Sequence, residues 1–192
     1  MRTTEILVTA EDGRALAAAE NVAFVDRAPT GPTIRVYPRR ARHTVDGIGS
    51  SITEASAFVL AHLDVDRRRE LMARIWGRDG ANFSMTRTHV GSCDFTVEGK
   101  YSYAPEPGDT DLSSFTIAPD LAGFDRAKYP GLVDPDYDLL PMIREALAIK
   151  RAQDEDLRIV ASAWTAPPWM KDTEEWFIPA TEDNAWQGTG GS

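Results

Sequence analysis

The residues best equipped for chemistry fall in three short stretches of this 192-residue chain. The first runs from Arg87 to Asp94 and holds His89, Ser92, Cys93 and Asp94, the types from which a nucleophile, a base and an orienting carboxylate are drawn. No Gly-x-Ser-x-Gly elbow accompanies them, and His89 and Ser92, three apart on a strand, point to opposite faces, so a serine hydrolase is not the preferred reading. Cys93 is the only cysteine, with no helix start or basic partner assigned to activate it, and reads as a small buried filler. Arg87 lies on a stripe with Phe83 and Met85. There its guanidinium either pairs with a carboxylate in the interior or ends the strand at the solvent edge, and both readings stand. Asp94 either caps a loop turn or offers a carboxylate to a ligand. In the second stretch Trp164 and Trp169 straddle Pro167-Pro168, two rigid rings suited to packing or to the face of a sugar. The third, Gly47-Ile48-Gly49-Ser50-Ser51-Ile52, resembles a dinucleotide-binding turn but has Ile52 where the third glycine belongs. Close passage of a strand-to-helix turn explains the two glycines without a ligand.

These stretches need elements to hold them. Up to residue 40 the chain reads as short strands, Glu5 to Thr9, Val22 to Val25 and Thr33 to Tyr37, separated by turn formers such as Asp12-Gly13 and Pro29-Thr30-Gly31-Pro32. Thr44 to Gly49 is a further strand. Ser51-Ile52-Thr53-Glu54 fits a capping box that starts a helix with Ala55, Phe58, Val59, His62 and Leu63 on its apolar side. A second helix from Asp64 carries Leu71, Met72, Ile75 and Trp76 to a stop at Gly77. Asn82 to Val90 alternates as a strand, with Phe83, Met85, Arg87 and His89 on one face. Residues 91 to 137, rich in Asp, Gly, Pro and Tyr, show no sustained period and read as a site-forming loop. Asp138 opens an amphipathic helix through Leu139, Leu140, Ile143, Ala146, Leu147 and Lys150, with Pro141 tolerable in its first turn, and Arg158 to Ala163 is the next strand. Strands alternating with helices imply an α/β fold built on a parallel sheet, where site residues gather at the strands' carboxyl ends, here Gly49, Val90 and Ala163.

Composition narrows the function classes. A net charge of −9 with no Lys/Arg cluster repels phosphate backbones, so nucleic acid is not an expected partner. No apolar run approaches the ~20 residues of a membrane-spanning helix. The start, Met1-Arg2-Thr3-Thr4-Glu5, lacks a secretory leader's apolar core, so a cytoplasmic location is the default expectation unless a leader was trimmed. One cysteine and three scattered histidines give no metal-ligand spacing and exclude an internal disulfide.

Three segments together resemble glycoside hydrolase family 30, and within it the glucosylceramidase branch: Val45-Asp46-Gly47-Ile48-Gly49-Ser50-Ser51-Ile52-Thr53-Glu54-Ala55, then Arg87 through Cys93-Asp94-Phe95, then Ala161-Ser162-Ala163-Trp164-Thr165-Ala166-Pro167-Pro168-Trp169-Met170-Lys171. The resemblance spans roughly residues 33 to 192 and is loose over 1 to 32. It implies a (β/α)8 TIM barrel with a side β-domain, of which residues 1–40 would supply strands of a side β-sandwich. Residues 41–192 would then be the N-terminal portion of the barrel, about three of its eight strands. It also implies retaining hydrolysis of β-glucosides, some members cleaving glucosylceramide and others β-1,6-glucan or xylan, on a carbohydrate or glycolipid substrate and with no cofactor. By position, Asp94 and Trp164 correspond to residues that hold sugar hydroxyls before the scissile bond, and Arg87 to the arginine supporting the nucleophile carboxylate. The chain departs from many relatives in having Gly49-Ser50-Ser51 and Glu54 in the first motif, and His89 in place of a proline, which bears on the branch and the aglycone.

Retaining hydrolysis uses two carboxylates about 5–5.5 Å apart. The family sets them after its fourth and seventh strands, the acid/base directly following an asparagine. Here Asn21, Asn82 and Asn184 precede Val, Phe and Ala, and the tail Trp186-Gln187-Gly188-Thr189-Gly190-Gly191-Ser192 resembles the loop after the third strand. Neither catalytic glutamate is therefore expected within the chain. Both are expected beyond Ser192, leaving residues 1–192 inactive alone. The competing reading is a non-catalytic carbohydrate-binding protein using Asp94, Trp164 and Trp169.

Overall fold

The computed structural model describes residues 3–177 and 182–183, so the tail from Trp186 to Ser192 lies outside the described residues. The chain divides into two compact units, Met1–Thr44 and Val45–Ser192.

The first unit is a folded-back ribbon. Strand β1 (Thr3–Thr4) pairs antiparallel with β4 (Val22–Ala23), and between them β2 (Leu7–Val8) pairs with β3 (Ala17–Ala18). Gly13, at φ +92°, makes the reversal, a backbone region costly for residues with a Cβ. The expected strand over residues 33 to 37 is not among the described strands. Ile34 is 92% exposed there. Its alternating apolar residues find no neighbouring strand, and Pro32 and Pro38 flank them without N–H donors, so β-propensity alone does not hold the segment.

The second unit is a three-stranded parallel sheet, order β5 (Gly49–Ser51), β6 (Met85–Val90), β7 (Arg158–Ala163). Helices α1 (Glu54–Ala61) and α2 (Val65–Trp76) connect the first two strands, and α3 (Leu139–Ala152) leads into the third. Gly49 pairs with Met85 and Ser51 with Arg87, so the first strand sits later than the expected 44 to 49. A Cβ on Gly49 would stand 1.8 Å from the Met85 carbonyl oxygen, so only glycine permits this ladder. The sheet is open, not a closed barrel, and β7 is exposed along most of its length.

Helix α1 starts two residues later than the capping box implies. Ser51 is spent in β5, and Thr53 is the cap, its Oγ1 accepting from the Ser56 N–H at 3.3 Å. The buried stripe is Glu54, Ala57 and Ala61, whereas Val59 is 63% exposed. Small residues win that face because Ala57, Ala61 and Ala146, all inaccessible, let α1 and α3 approach closely. Helix α2 begins on Asp64, whose Oδ1 accepts from the Arg67 N–H, and stops at Gly77. Its buried stripe of Met72 and Trp76 joins Leu139, Met142, Ile143 and Leu157 in the core. That core buries two cations as well. Arg68 pairs with Asp134 at 2.8 Å and lies 3.8 Å from the Tyr137 ring centroid, and Lys150 donates to Glu155 at 2.5 Å and Asn82 at 2.7 Å.

Residues 91 to 137 are packed rather than loose. They contain a 3-10 turn, Ala118–Leu121, and bury Tyr103, Phe124, Leu132 and Tyr137. Among the described residues no helix is long and apolar enough to cross a membrane.

Candidate functional site

The carboxyl ends of β6 and β7 lie side by side, Val90 opposite Ala163, so the segments that follow them share one rim. Arg87 is half-buried near the end of β6. Its Nη2 donates to Ser162 Oγ on β7 at 2.8 Å, and its guanidinium sits 5.3 Å from the Trp164 ring centroid. Arg87 and Trp164 are thus brought together. No carboxylate among the described residues lies within ion-pair distance of Arg87, so the acidic partner required by an interior guanidinium is not found there: a hydroxyl and an indole face hold it instead. A cavity of about 270 Å³ opens beside Arg87 on the sheet, bounded by Ser50, Ser51, Met85 and Val160.

Asp94 follows β6 on the loop and keeps 67% of its side chain exposed, with Oδ1 3.7 Å from Lys100 Nζ. No hydrogen bond or ion pair links it to Arg87 or Trp164. It is an exposed carboxylate at the rim, paired loosely with Lys100, with acceptor capacity left open to solvent. Trp169 has a different task from Trp164: its Nε1 donates to the Ala104 carbonyl at 2.9 Å, tying the segment after β7 to the long loop.

The nucleophile readings fail on geometry. His89 is buried, with Nδ1 2.6 Å from the Gly91 carbonyl and Nε2 accepting from the Glu54 N–H at 3.2 Å, so both nitrogens are occupied by backbone and Nδ1 carries the proton. Burial pushes its pKa down, which keeps the ring neutral. Ser92 Oγ is buried with no partner among the described residues, so no His–Ser couple forms. Burial raises the pKa of Cys93, whose sulfur accepts from the Phe95 N–H, an inert thiol. Gly49 is required by space, since its Cβ would meet the Met85 backbone, and a Cβ on Gly47 would stand 2.4 Å from Ser84 Oγ, so side chains there would have to move.

Three carboxylates are buried beneath the loop; sequence spacing marks Glu54 and Asp138 only as helix-start residues and does not mark Asp120. Glu54 accepts from the backbone N–H groups of Val97 and Glu98. Asp120 accepts from the hydroxyls of Tyr101 and Tyr103, and Asp138 accepts from Leu139 at 2.7 Å and Gly123 at 3.1 Å. Glu54 and Asp138 thus pin different parts of residues 91 to 137 to α1 and to the start of α3, and Asp120 ties two parts of that loop to each other. Burial raises the pKa of all three. Asp120 reaches about 7, because the charges of Asp138 and Glu54 add to burial and the Tyr101 hydroxyl only partly offsets them. The signal available in sequence was Tyr101-Ser102-Tyr103, whose alternation sends both rings to one side. Lys171 was also missed as a structural residue: its Nζ is buried against Thr165 and two backbone carbonyls. Among the described residues no group of three or more His, Cys, Asp or Glu could hold a metal ion.

Residues 45–181 match the glycosyl hydrolase family 30 TIM-barrel domain. The lysosomal acid glucosylceramidase of Mus musculus is 26% identical over 162 residues, covering 83% of this chain and 27% of that protein. An endo-1,6-beta-D-glucanase of Neurospora crassa is 30% identical over 139 residues, covering 72% of this chain and 25% of that one. The chain thus spans about a quarter of the length of these relatives. Among solved structures, SrfJ from Salmonella typhimurium superposes with a TM-score of 0.70 at 22% identity over 93% of this chain and 36% of its own. The endo-beta1,6-glucanase BT3312 does so with a TM-score of 0.56 at 25% identity, over 83% and 29%.

Proposed function

The chain belongs to glycosyl hydrolase family 30, and from that premise we propose that the protein it is part of is a retaining β-glycosidase acting on β-glucosides such as glucosylceramide. In this reading Asp94 and Trp164 bind the sugar before the scissile bond, and Arg87 supports the nucleophile carboxylate. The observation that carries it is the exposed Asp94 carboxylate at the same sheet rim as the Arg87–Trp164 pair, on the segments that match the family.

The chemistry divides between what this chain holds and what it lacks. Retention takes a nucleophile and an acid/base carboxylate about 5–5.5 Å apart, and no pair of the required sequence context occurs in residues 1–192. We assign both to chain outside this segment. Asp94 contributes by accepting hydrogen bonds from sugar hydroxyls, which strengthen as the ring gains oxocarbenium character, so its effect falls on kcat as well as KM. A guanidinium at Arg87, held by Ser162 and Trp164 rather than by a resident carboxylate, is available to an incoming anionic side chain.

A second reading, hydrolysis of β-1,6-glucan, draws on the 30% identity to the Neurospora crassa glucanase. The two are separated by assaying the whole protein on an aryl β-glucoside, glucosylceramide and β-1,6-glucan. With Asp94→Ala, kcat/KM on the preferred substrate is expected to fall by about 10²-fold or more. Wild-type kinetics in that variant would remove Asp94 from the site, and activity on the glucan alone would reassign the substrate.

A further inference from the structure

The segment after β7 contains a cation that neither the proposed chemistry nor any ion pair accounts for. Lys171 is 8% exposed, and no carboxylate among the described residues lies within ion-pair distance of its ammonium. An unpaired ammonium is expensive to bury unless each of its donors is met. Here they are: Nζ donates to Thr165 Oγ1 at 2.5 Å, to the Glu175 carbonyl at 3.0 Å and to the Trp176 carbonyl at 2.9 Å. Those three acceptors come from both ends of one segment, so the ammonium closes residues 165 to 176 into a ring around itself. Two further bonds set that ring in place, Trp169 Nε1 to the Ala104 carbonyl at 2.9 Å and Thr165 Oγ1 to the Trp176 carbonyl at 3.4 Å.

Trp164 is the residue immediately before the first acceptor, and it leaves β7 at the point where the ladder ends on Ala163. Its backbone is therefore fixed on one side by the sheet and on the other by Thr165. Among the described residues the indole makes no hydrogen bond that sets its direction, and it meets the Arg87 guanidinium through its face at 5.3 Å. Remove the ammonium, and two backbone carbonyls and a hydroxyl lose their shared donor, which loosens the segment that follows Trp164.

We propose that Lys171 is a positioning residue that holds Trp164 in the sugar subsite by closing the loop after β7. This rests on the glycosidase reading, in which Trp164 contacts sugar. Lys171 touches no substrate. A lysine suits the task because three tetrahedral donors match three acceptors arrayed around one point, whereas the planar guanidinium of arginine presents its donors in a fork.

The test is a double-mutant cycle in the whole protein, with kcat/KM on an aryl β-glucoside as readout and Lys171→Met, Lys171→Arg, Trp164→Ala and the two doubles as variants. Lys171→Met is expected to lower kcat/KM about tenfold to a hundredfold in the Trp164 background, as displacement of a positioned ring does. In the Trp164→Ala background it is expected to change kcat/KM by less than about twofold, because nothing remains to be positioned. Lys171→Arg keeps the charge and is expected to show the same non-additivity, and it carries the cycle if Lys171→Met does not fold. Equal losses in the two backgrounds would overturn the proposal while leaving the glycosidase reading intact, since a loop that merely stabilises the fold acts alike with or without the ring. Wild-type kinetics in Lys171→Met would overturn it too. Absence of β-glycoside turnover in the parent would bring down the functional reading and this inference with it.

Discussion

Asp120 lets the pH dependence of the long loop be worked out from structure. Its carboxyl is 0% exposed, accepts from Tyr101 and Tyr103, and shares its surroundings with Glu54 on α1 and Asp138 at the start of α3, with no cation among the described residues paired to it. A folded pKa of about 7 against 3.8 means that between those values the folded state keeps a proton the unfolded chain has released. Stability from this group is then fully present below about pH 4 and is lost as pH rises through about 7, the reverse of an ion-paired aspartate. The separation of about three units corresponds to at most about 4 kcal/mol, with a slope no steeper than about 1.4 kcal/mol per pH unit. Glu54 and Asp138, also raised by burial, act in the same direction. Glu70, exposed and lowered by Arg74 and Arg67, opposes it weakly because solvent screens it, and the half-buried Glu155, lowered by Lys150 and Arg78, also opposes it. Hydrogen exchange of peptides from residues 91 to 137, corrected for intrinsic rates, reads the effect locally: protection is expected to decline from pH 5 to pH 8. Asp120→Asn, neutral at every pH and of the same shape, should flatten most of that decline. Protection that rises with pH, or an unchanged slope in Asp120→Asn, would refute the reasoning.

Two further outcomes follow from packing. Gly49→Ala places a Cβ 1.8 Å from the Met85 carbonyl oxygen, so β5 must part from β6, and roughly 3 kcal/mol or more of stability should be lost, read as a drop in thermal midpoint. Arg68→Ala strands Asp134 beside the Tyr137 ring and should cost about 3–5 kcal/mol in denaturant titration, with Arg68→Lys recovering little because only a guanidinium both pairs and stacks there.

Much of the frame was legible in the sequence because it rests on local rules. Asp64 and Gly77 bound α2, Asp138 caps α3, and the alternation from Asn82 to Val90 marks β6, whose ladder begins only at Met85. Local rules also produced the misses. The box over residues 51 to 54 was satisfied on paper, yet β6 claims Ser51 for its ladder, and pairing across the sheet outranks a cap one turn away. Ala57 and Ala61 replace larger residues on the buried side of α1 because α3 comes close, a tertiary fact absent from a periodicity count. At the site, motif resemblance drew attention to Asp94, Trp164 and Arg87. The sheet brings Arg87 and Trp164 together through neighbouring strands. Glu54 and Lys171 meet backbone groups that no spacing rule announces, whereas Asp120 meets two tyrosine hydroxyls whose alternation was the one signal on offer.

Proton NMR of an aryl β-glucoside during hydrolysis by the whole protein tests directly whether this chain belongs to a retaining enzyme. Two displacements, first by an enzyme carboxylate and then by water, restore the original configuration. The β-anomer of glucose should therefore appear first and the α-anomer only afterwards, by mutarotation. First appearance of the α-anomer, or no hydrolysis of any β-glucoside or of β-1,6-glucan, would contradict it.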